Sequence, residues 1–202
     1  MNHTTTKRLS AWLLVTAAYL FAATAADAGP FGLEMGMTLQ QIGGHPQQLA
    51  PGRYKLSEVP KPHSAFESYI VQVGPTSGLC WIKGVGKTIS TSVFGVELHA
   101  AFDSLKARVQ ETYGTSKVTD AVLPGSIWSE PRYWMMGLVK KDRILVAIWE
   151  RKSGATLPPE IKTIAAGARA IDSERGWVSL EYSFANETEC DHDVAKAEDS
   201  AL

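Results

Sequence analysis

The sequence predicts an α+β fold, an antiparallel sheet of about six strands with helices packed on one face. Three observations predict it. The pentapeptide Phe31-Gly32-Leu33-Glu34-Met35 recurs as Phe94-Gly95-Val96-Glu97-Leu98, and each copy leads into a helical pattern. Runs rich in β-branched and aromatic residues follow each helical pattern. The connections between these runs are short, which makes neighbouring strands antiparallel. Residues 29–92 and 93–186 therefore read as two tandem halves of one compact unit, each helix, strand, strand, strand, with an acidic tail at 187–202.

Residues 1–28 read as a cleavable signal peptide. Lys7 and Arg8 form a positive n-region, residues 11–23 an apolar h-region, and Ala26-Asp27-Ala28 places small residues where the peptidase reads them, with the cut after Ala28. That apolar stretch is shorter than the roughly 20 residues a spanning helix needs. No later segment is apolar enough to span, and no cysteine follows the h-region to carry a lipid. The expectation is a protein of the periplasm, or secreted, with no membrane anchor after processing. Over the whole chain 20 basic side chains balance 21 acidic ones. Such a balance lacks the basic excess of nucleic-acid binders, so nucleic acid is not an expected partner.

In the first half Thr38 caps a helix and Gln41 completes a capping box; Leu39 and Ile42 face the core, and Gly43-Gly44 stops the helix. Strands follow at Arg53-Tyr54-Lys55-Leu56, at Tyr69-Ile70-Val71-Gln72-Val73 and at residues 79–85. In the second half Phe102, Leu105, Val109 and Tyr113 hold helical spacing, and Gly114 marks the end. Strands are then expected at Arg132-Tyr133-Trp134-Met135, at Ile144-Leu145-Val146-Ala147-Ile148 and at residues 177–184. An extra helix is expected over residues 158–171, with Ile161, Ile164, Ala168 and Ile171 on one face and a proline in its first turn. Beyond Glu187 the chain is strongly acidic and reads as a solvated tail or frayed helix.

Cys80 and Cys190 are the two cysteines. In an oxidising compartment an even count suggests a disulfide. The alternatives are a buried Cys80 with Cys190 loose in the tail, or a reactive thiol. A bridge would tie the tail to the body and close a long loop, worth about 4 kcal/mol in the chain-entropy account.

The catalytic motifs are incomplete. Gly84-Val85-Gly86-Lys87-Thr88 ends like a phosphate loop, but Trp81 stands where the first glycine belongs, and no capped helix follows. Gly74-Pro75-Thr76-Ser77-Gly78 puts Thr76 in the slot of a nucleophile elbow and reads as a hairpin turn. His45, His63, His99 and His192 lack metal-ligand spacing, and Cys190-Asp191-His192-Asp193 sits where a loose tail fixes no geometry. No catalytic residue, metal or cofactor is assigned.

An aromatic signal remains. Trp81, Trp128, Trp134, Trp149 and Trp177 lie in or beside strand patterns. In the last strand Val178, Leu180, Tyr182 and Phe184 form the inward set, leaving Trp177 on the other face with Ser179 and Glu181. Aromatic side chains on an uncovered sheet face make binding hot spots, so Trp134, Trp149 and Trp177 are the candidate partner-binding residues. The competing reading packs them in the core.

Gly36-Met37-Thr38-Leu39-Gln40-Gln41-Ile42, followed by Gly44 and Pro46, resembles the helix signature of the outer-membrane assembly lipoprotein family, whose fold is that of the beta-lactamase inhibitory protein. The resemblance implies a sheet with helices on one side and a concave open face that grips another protein. The chain differs from the assembly lipoproteins in lacking a lipidated cysteine and in carrying two copies, so soluble, duplicated inhibitor-type modules are the nearer likeness. The expected function is a soluble periplasmic interaction or inhibitor-type module, without catalysis or cofactor, whose partner is another envelope protein. The alternative is an envelope hydrolase or small-ligand carrier, which requires a deep pocket with convergent polar groups.

Overall fold

The structure is a computed structural model and describes residues 29–200, so the signal peptide lies outside the described residues. Nine strands form one antiparallel sheet: β1 (Gln47–Ala50), β2 (Arg53–Leu56), β3 (Phe66–Gly74), β4 (Gly78–Gly86), β5 (Ile89–Ser90), β6 (Lys117–Val122), β7 (Arg143–Trp149), β8 (Ile161–Ala170) and β9 (Arg175–Phe184). Four helices accompany it: α1 (Leu39–Ile42), α2 (Val96–Tyr113), α3 (Trp134–Val139) and α4 (Glu187–Asp199). The strand order is β1-β2-β3-β4-β9-β8-β7-β6, with β5 paired to β9 beyond the point where β4 leaves it. The α+β class holds, and the sheet has nine strands where about six were expected.

Local chemistry explains the helix ends. Thr38 Oγ1 accepts from the Gln41 backbone N–H at 3.3 Å while Gln41 Oε1 accepts from the Thr38 N–H at 2.8 Å, the reciprocal capping box. α2 buries Leu98, Phe102, Leu105 and Val109 at helical spacing. Glu97 closes its N-terminal end by accepting from Ser92 N–H and Thr91 Oγ1. At its other end Trp149 Nε1 donates to the Gly114 carbonyl at 2.9 Å, satisfying one of the acceptors a helix terminus leaves free.

The core lies under α2 and α3, which pack on β7, β8 and β9. Ala166 and Ala168 are fully buried there, and their small side chains let α2 approach the central strand closely. Val178, Leu180, Tyr182 and Phe184 are buried as expected. Burial, followed by the neighbouring Tyr113, pushes the Tyr182 hydroxyl well above its usual range. Phe31 has a left-handed backbone, φ 58°, a conformation that costs a non-glycine residue about 1–3 kcal/mol. Its ring is packed against Phe66, Tyr69 and Tyr182, with centroids 4.8–5.8 Å away.

Three expected elements are corrected. Residues 158–171 do not form a helix; Ile161–Ala170 is β8, an inner strand paired on both sides. A register shift between Ile161 and Thr163 changes the strand's phase, so Ile161 and Ile164 both face the core three residues apart, which mimics helical spacing. Arg132-Tyr133-Trp134-Met135 is not a strand. Pro131 opens a 3₁₀ turn that runs into α3, and Trp134, Met135 and Leu138 are buried on a helical period.

The acidic segment is not a loose tail. It forms α4, which packs on β3 and β4 and is bonded to the sheet through the Cys80–Cys190 disulfide, both sulfurs buried. Asp193 accepts from Thr76 N–H at 2.7 Å, Ser77 N–H at 2.9 Å and Ser77 Oγ at 3.0 Å, so the hairpin turn at residues 74–78 becomes an anion cradle. The Ser77 and Thr76 backbone donors, in that order, hold its carboxyl at about 2. Gly52 is needed beneath the helix, since a Cβ there would stand 2.5 Å from Val194 Cγ2. Among the described residues, no helix is long and apolar enough to cross a membrane.

Candidate functional site

Strand register assigns each paired side chain to a face. Ile82 and Gly84 of β4 stand opposite Tyr182 and Leu180 of β9, and Ala166 and Ala168 of β8 opposite Leu180 and Val178, so these residues share the helix-covered face. The alternate positions form the other face. Trp81, Lys83 and Val85 of β4 lie beside Ser183, Glu181 and Ser179 of β9, with Trp177 farther along. Across β8 and β7 the same face continues through Ala165, Gly167 and Arg169 to Val146 and Ile148, and across β3 and β2 through Ile70 and Gln72 to Lys55 and Arg53.

Its centre is an ion pair, Lys83 Nζ to Glu181 Oε1 at 2.9 Å, with both side chains retaining part of their exposure, 18% and 24%. Lys83 also sits 5.4 Å from the Trp177 ring centroid, and the Arg53 guanidinium sits 5.2 Å from that of Trp81. Both indoles are half-buried. A cation over an aromatic face is held by the ring quadrupole and fixes the plane of the indole. Arg53 Nε donates to Gln72 Oε1 at 3.3 Å, and Gln72 Nε2 donates to Asp191 Oδ1 of α4 at 2.6 Å. The disulfide-bonded helix thus steadies Trp81 through two polar contacts.

Paired positions of this face carry Arg53, Lys55, Lys83, Lys117, Arg169 and Arg175 against the carboxylate of Glu181, and α4 adds two carboxylates, Asp191 on Gln72 and Glu187 on Ser183. Asp172 takes Arg175 at 2.7 Å, and Arg175 is the first cause of the lowered Asp172 pKa. Among the described residues no ion pair engages Arg53, Lys55, Lys117 or Arg169. A chain of net charge −1 therefore presents one locally basic sheet face.

The candidate tryptophans divide. Trp149 is fully buried beneath the helices, and Trp134 is 6% exposed, packed on Gly95 and 4.2 Å from the His99 ring. Trp177 stands on the uncovered face, beside Lys83. Trp81, Arg53 and Lys83 complete that arrangement and were not singled out from the sequence. The alternation Ile82 inward, Trp81 and Lys83 outward was the signal that could have found them.

No family model, curated protein or solved structure matches this chain. The reading of the site therefore rests on geometry. Gly84-Val85-Gly86-Lys87-Thr88 is the end of β4 and the turn after it, and Gly74-Pro75-Thr76-Ser77-Gly78 is the β3–β4 connection that holds Asp193. Among the described residues no group of three or more His, Cys, Asp or Glu side chains could hold a metal ion. His63 lies tilted against Phe66, ring centroids 5.6 Å apart, and its Nε2 is 3.4 Å from Arg108 Nη1 on the helix side of the sheet.

Proposed function

We propose that this protein is an exported interaction module of the inhibitor type, whose uncovered sheet face binds an acidic surface on another envelope protein. The observation that carries the reading is the pair of half-buried indoles, Trp81 and Trp177, each fixed by a cation on the face that α2 and α3 leave open. Tryptophan and arginine dominate binding hot spots, and a basic, aromatic face complements an acidic partner. The strand order supports a description as two helix-and-strand units meeting at β4 and β9. The buried Cys80–Cys190 disulfide fits an oxidising compartment, in line with periplasmic or secreted location after cleavage at Ala28.

A photo-crosslinking residue placed at Val146 or Ile148 on the open face, where both are part-exposed, and in parallel at Ser104 on α2, tests the proposal in intact envelopes. The expected result is one adduct from the open-face positions, with an acidic contact surface, weakened about thirtyfold or more in affinity by Trp177→Ala. Adducts that form equally from Ser104, or none from the open face, would overturn it.

A further inference from the structure

On the helix-covered side of the sheet a cleft runs between α2 and residues 61–66. It has two lobes of about 410 and 300 Å³, which share His63, Leu105 and Arg108. These volumes lie in the range of about 300–1,000 Å³ typical of small-molecule sites. The floor is apolar: Phe66 and Leu180 line one lobe, Ile89 and Val178 the other. The rim carries fixed cations, Lys61 and Arg108 on the larger lobe and Lys87 on the smaller, with the His63 imidazole between them. Among the described residues no aspartate or glutamate lines either lobe. Among the described residues no ion pair engages Lys61, Lys87 or Arg108.

An apolar trough rimmed by unneutralised cations matches a ligand with an apolar body and one anionic head. We propose that this cleft binds a free amphipathic carboxylate, its head on the Arg108 fork and its chain along the floor between α2 and β9. Arg108 is the positioning choice because a planar guanidinium takes both carboxylate oxygens at once, and its Nη1, 3.4 Å from His63 Nε2, stands at the junction of the lobes. The site stands independently of the open-face reading, since Arg108 lies on the other side of the sheet.

Isothermal titration of the full chain with decanoate, decanol and decyltrimethylammonium, each below its micelle concentration, tests the head and the chain separately. Decanoate is expected to bind tightest, and octanoate to bind about fourfold more weakly per methylene removed. Arg108→Gln should weaken decanoate at least tenfold and leave decanol unmoved. Arg108 is exposed, so the substitution spares the core. Equal affinity for the three head groups, no chain-length dependence, no binding of decanoate, or an unchanged decanoate affinity in Arg108→Gln would each overturn the proposal.

Discussion

Phe31–Met35 and Phe94–Leu98 share Phe, Gly and Glu in the same order, yet the two segments are turned inside out relative to each other. In the first, Phe31 joins the aromatic cluster and Leu33 is fully buried, while Met35 is 37% exposed. In the second, Phe94 and Val96 are 51% and 60% exposed and Leu98 is fully buried. Both glycines have left-handed backbones, φ 78° and 71°. The two chains part immediately after these glycines. After Gly32 the chain is extended at Leu33, which enters the core, and α1 starts only after Thr38. After Gly95 the chain enters α2 at once, so the first helical residue faces solvent and the third faces the sheet. A repeated motif therefore placed a left-handed glycine at the same position twice, after a left-handed Phe31 in one copy and a Phe94 of ordinary backbone in the other, and the element after each glycine decided which side chains were buried.

The sharpest way to break this comparison is to truncate the four reciprocal positions. Leu33→Ala and Leu98→Ala should each cost about 3 kcal/mol, as fully buried leucines do. Val96→Ala should stay within about 0.5 kcal/mol, as exposed positions do. Met35→Ala should cost less than either leucine. Urea midpoints with unchanged slopes measure all four. If Val96→Ala cost as much as Leu33→Ala, the segments would be equivalent after all.

The same logic separates what was legible in the sequence from what was not. Elements with one buried face and a clean period were readable: α2 through Phe102, Leu105 and Val109, and β9 through Val178, Leu180, Tyr182 and Phe184. Edge strands were not. β1 has all four residues exposed, and β6 is nearly as open, so neither shows an alternating hydrophobic signal. β8 failed for the opposite reason, because it is paired on both sides, alanine-rich and shifted in phase by its bulge. The disulfide was legible as a cysteine count, but the docking of α4 by Asp193 depends on a turn more than a hundred residues away in sequence, and no local pattern carries that. For the site, an indole in a strand did not reveal its own face: Trp149 and Trp177 look alike in sequence and point to opposite sides of the sheet.

A smaller effect sharpens the comparison at its first residue. Phe31→Ala removes a ring in contact with three aromatic neighbours and should cost about 2 kcal/mol, less than a fully buried phenylalanine because Phe31 is half-buried and its left-handed backbone is relieved only in part. Phe94→Ala should stay within about 0.5 kcal/mol. Equal losses at the two positions would show that Phe94 has a packing partner that its exposure does not reveal.

The smallest effect concerns the glutamate that both copies keep. Glu34 is exposed, and its backbone N–H meets Met37 Sδ at 3.4 Å. Glu97 instead accepts from Ser92 N–H at 2.9 Å and Thr91 Oγ1 at 2.8 Å at the start of α2, and these two contacts, the Ser92 bond first, lower its pKa below the ordinary 4.5. A carboxyl whose pKa is depressed on folding stabilises the native state above its unfolded pKa and loses that contribution as pH falls through the folded value. Wild type should therefore be more stable than Glu97→Gln at neutral pH, and the gap should close as pH falls below about 4.5. Thermal midpoints from pH 7 to pH 3 measure it. A gap that persists undiminished in acid would mean that Glu97 acts through packing or the neutral hydrogen bond, and that its charge at the helix start contributes nothing that distinguishes the second segment from the first.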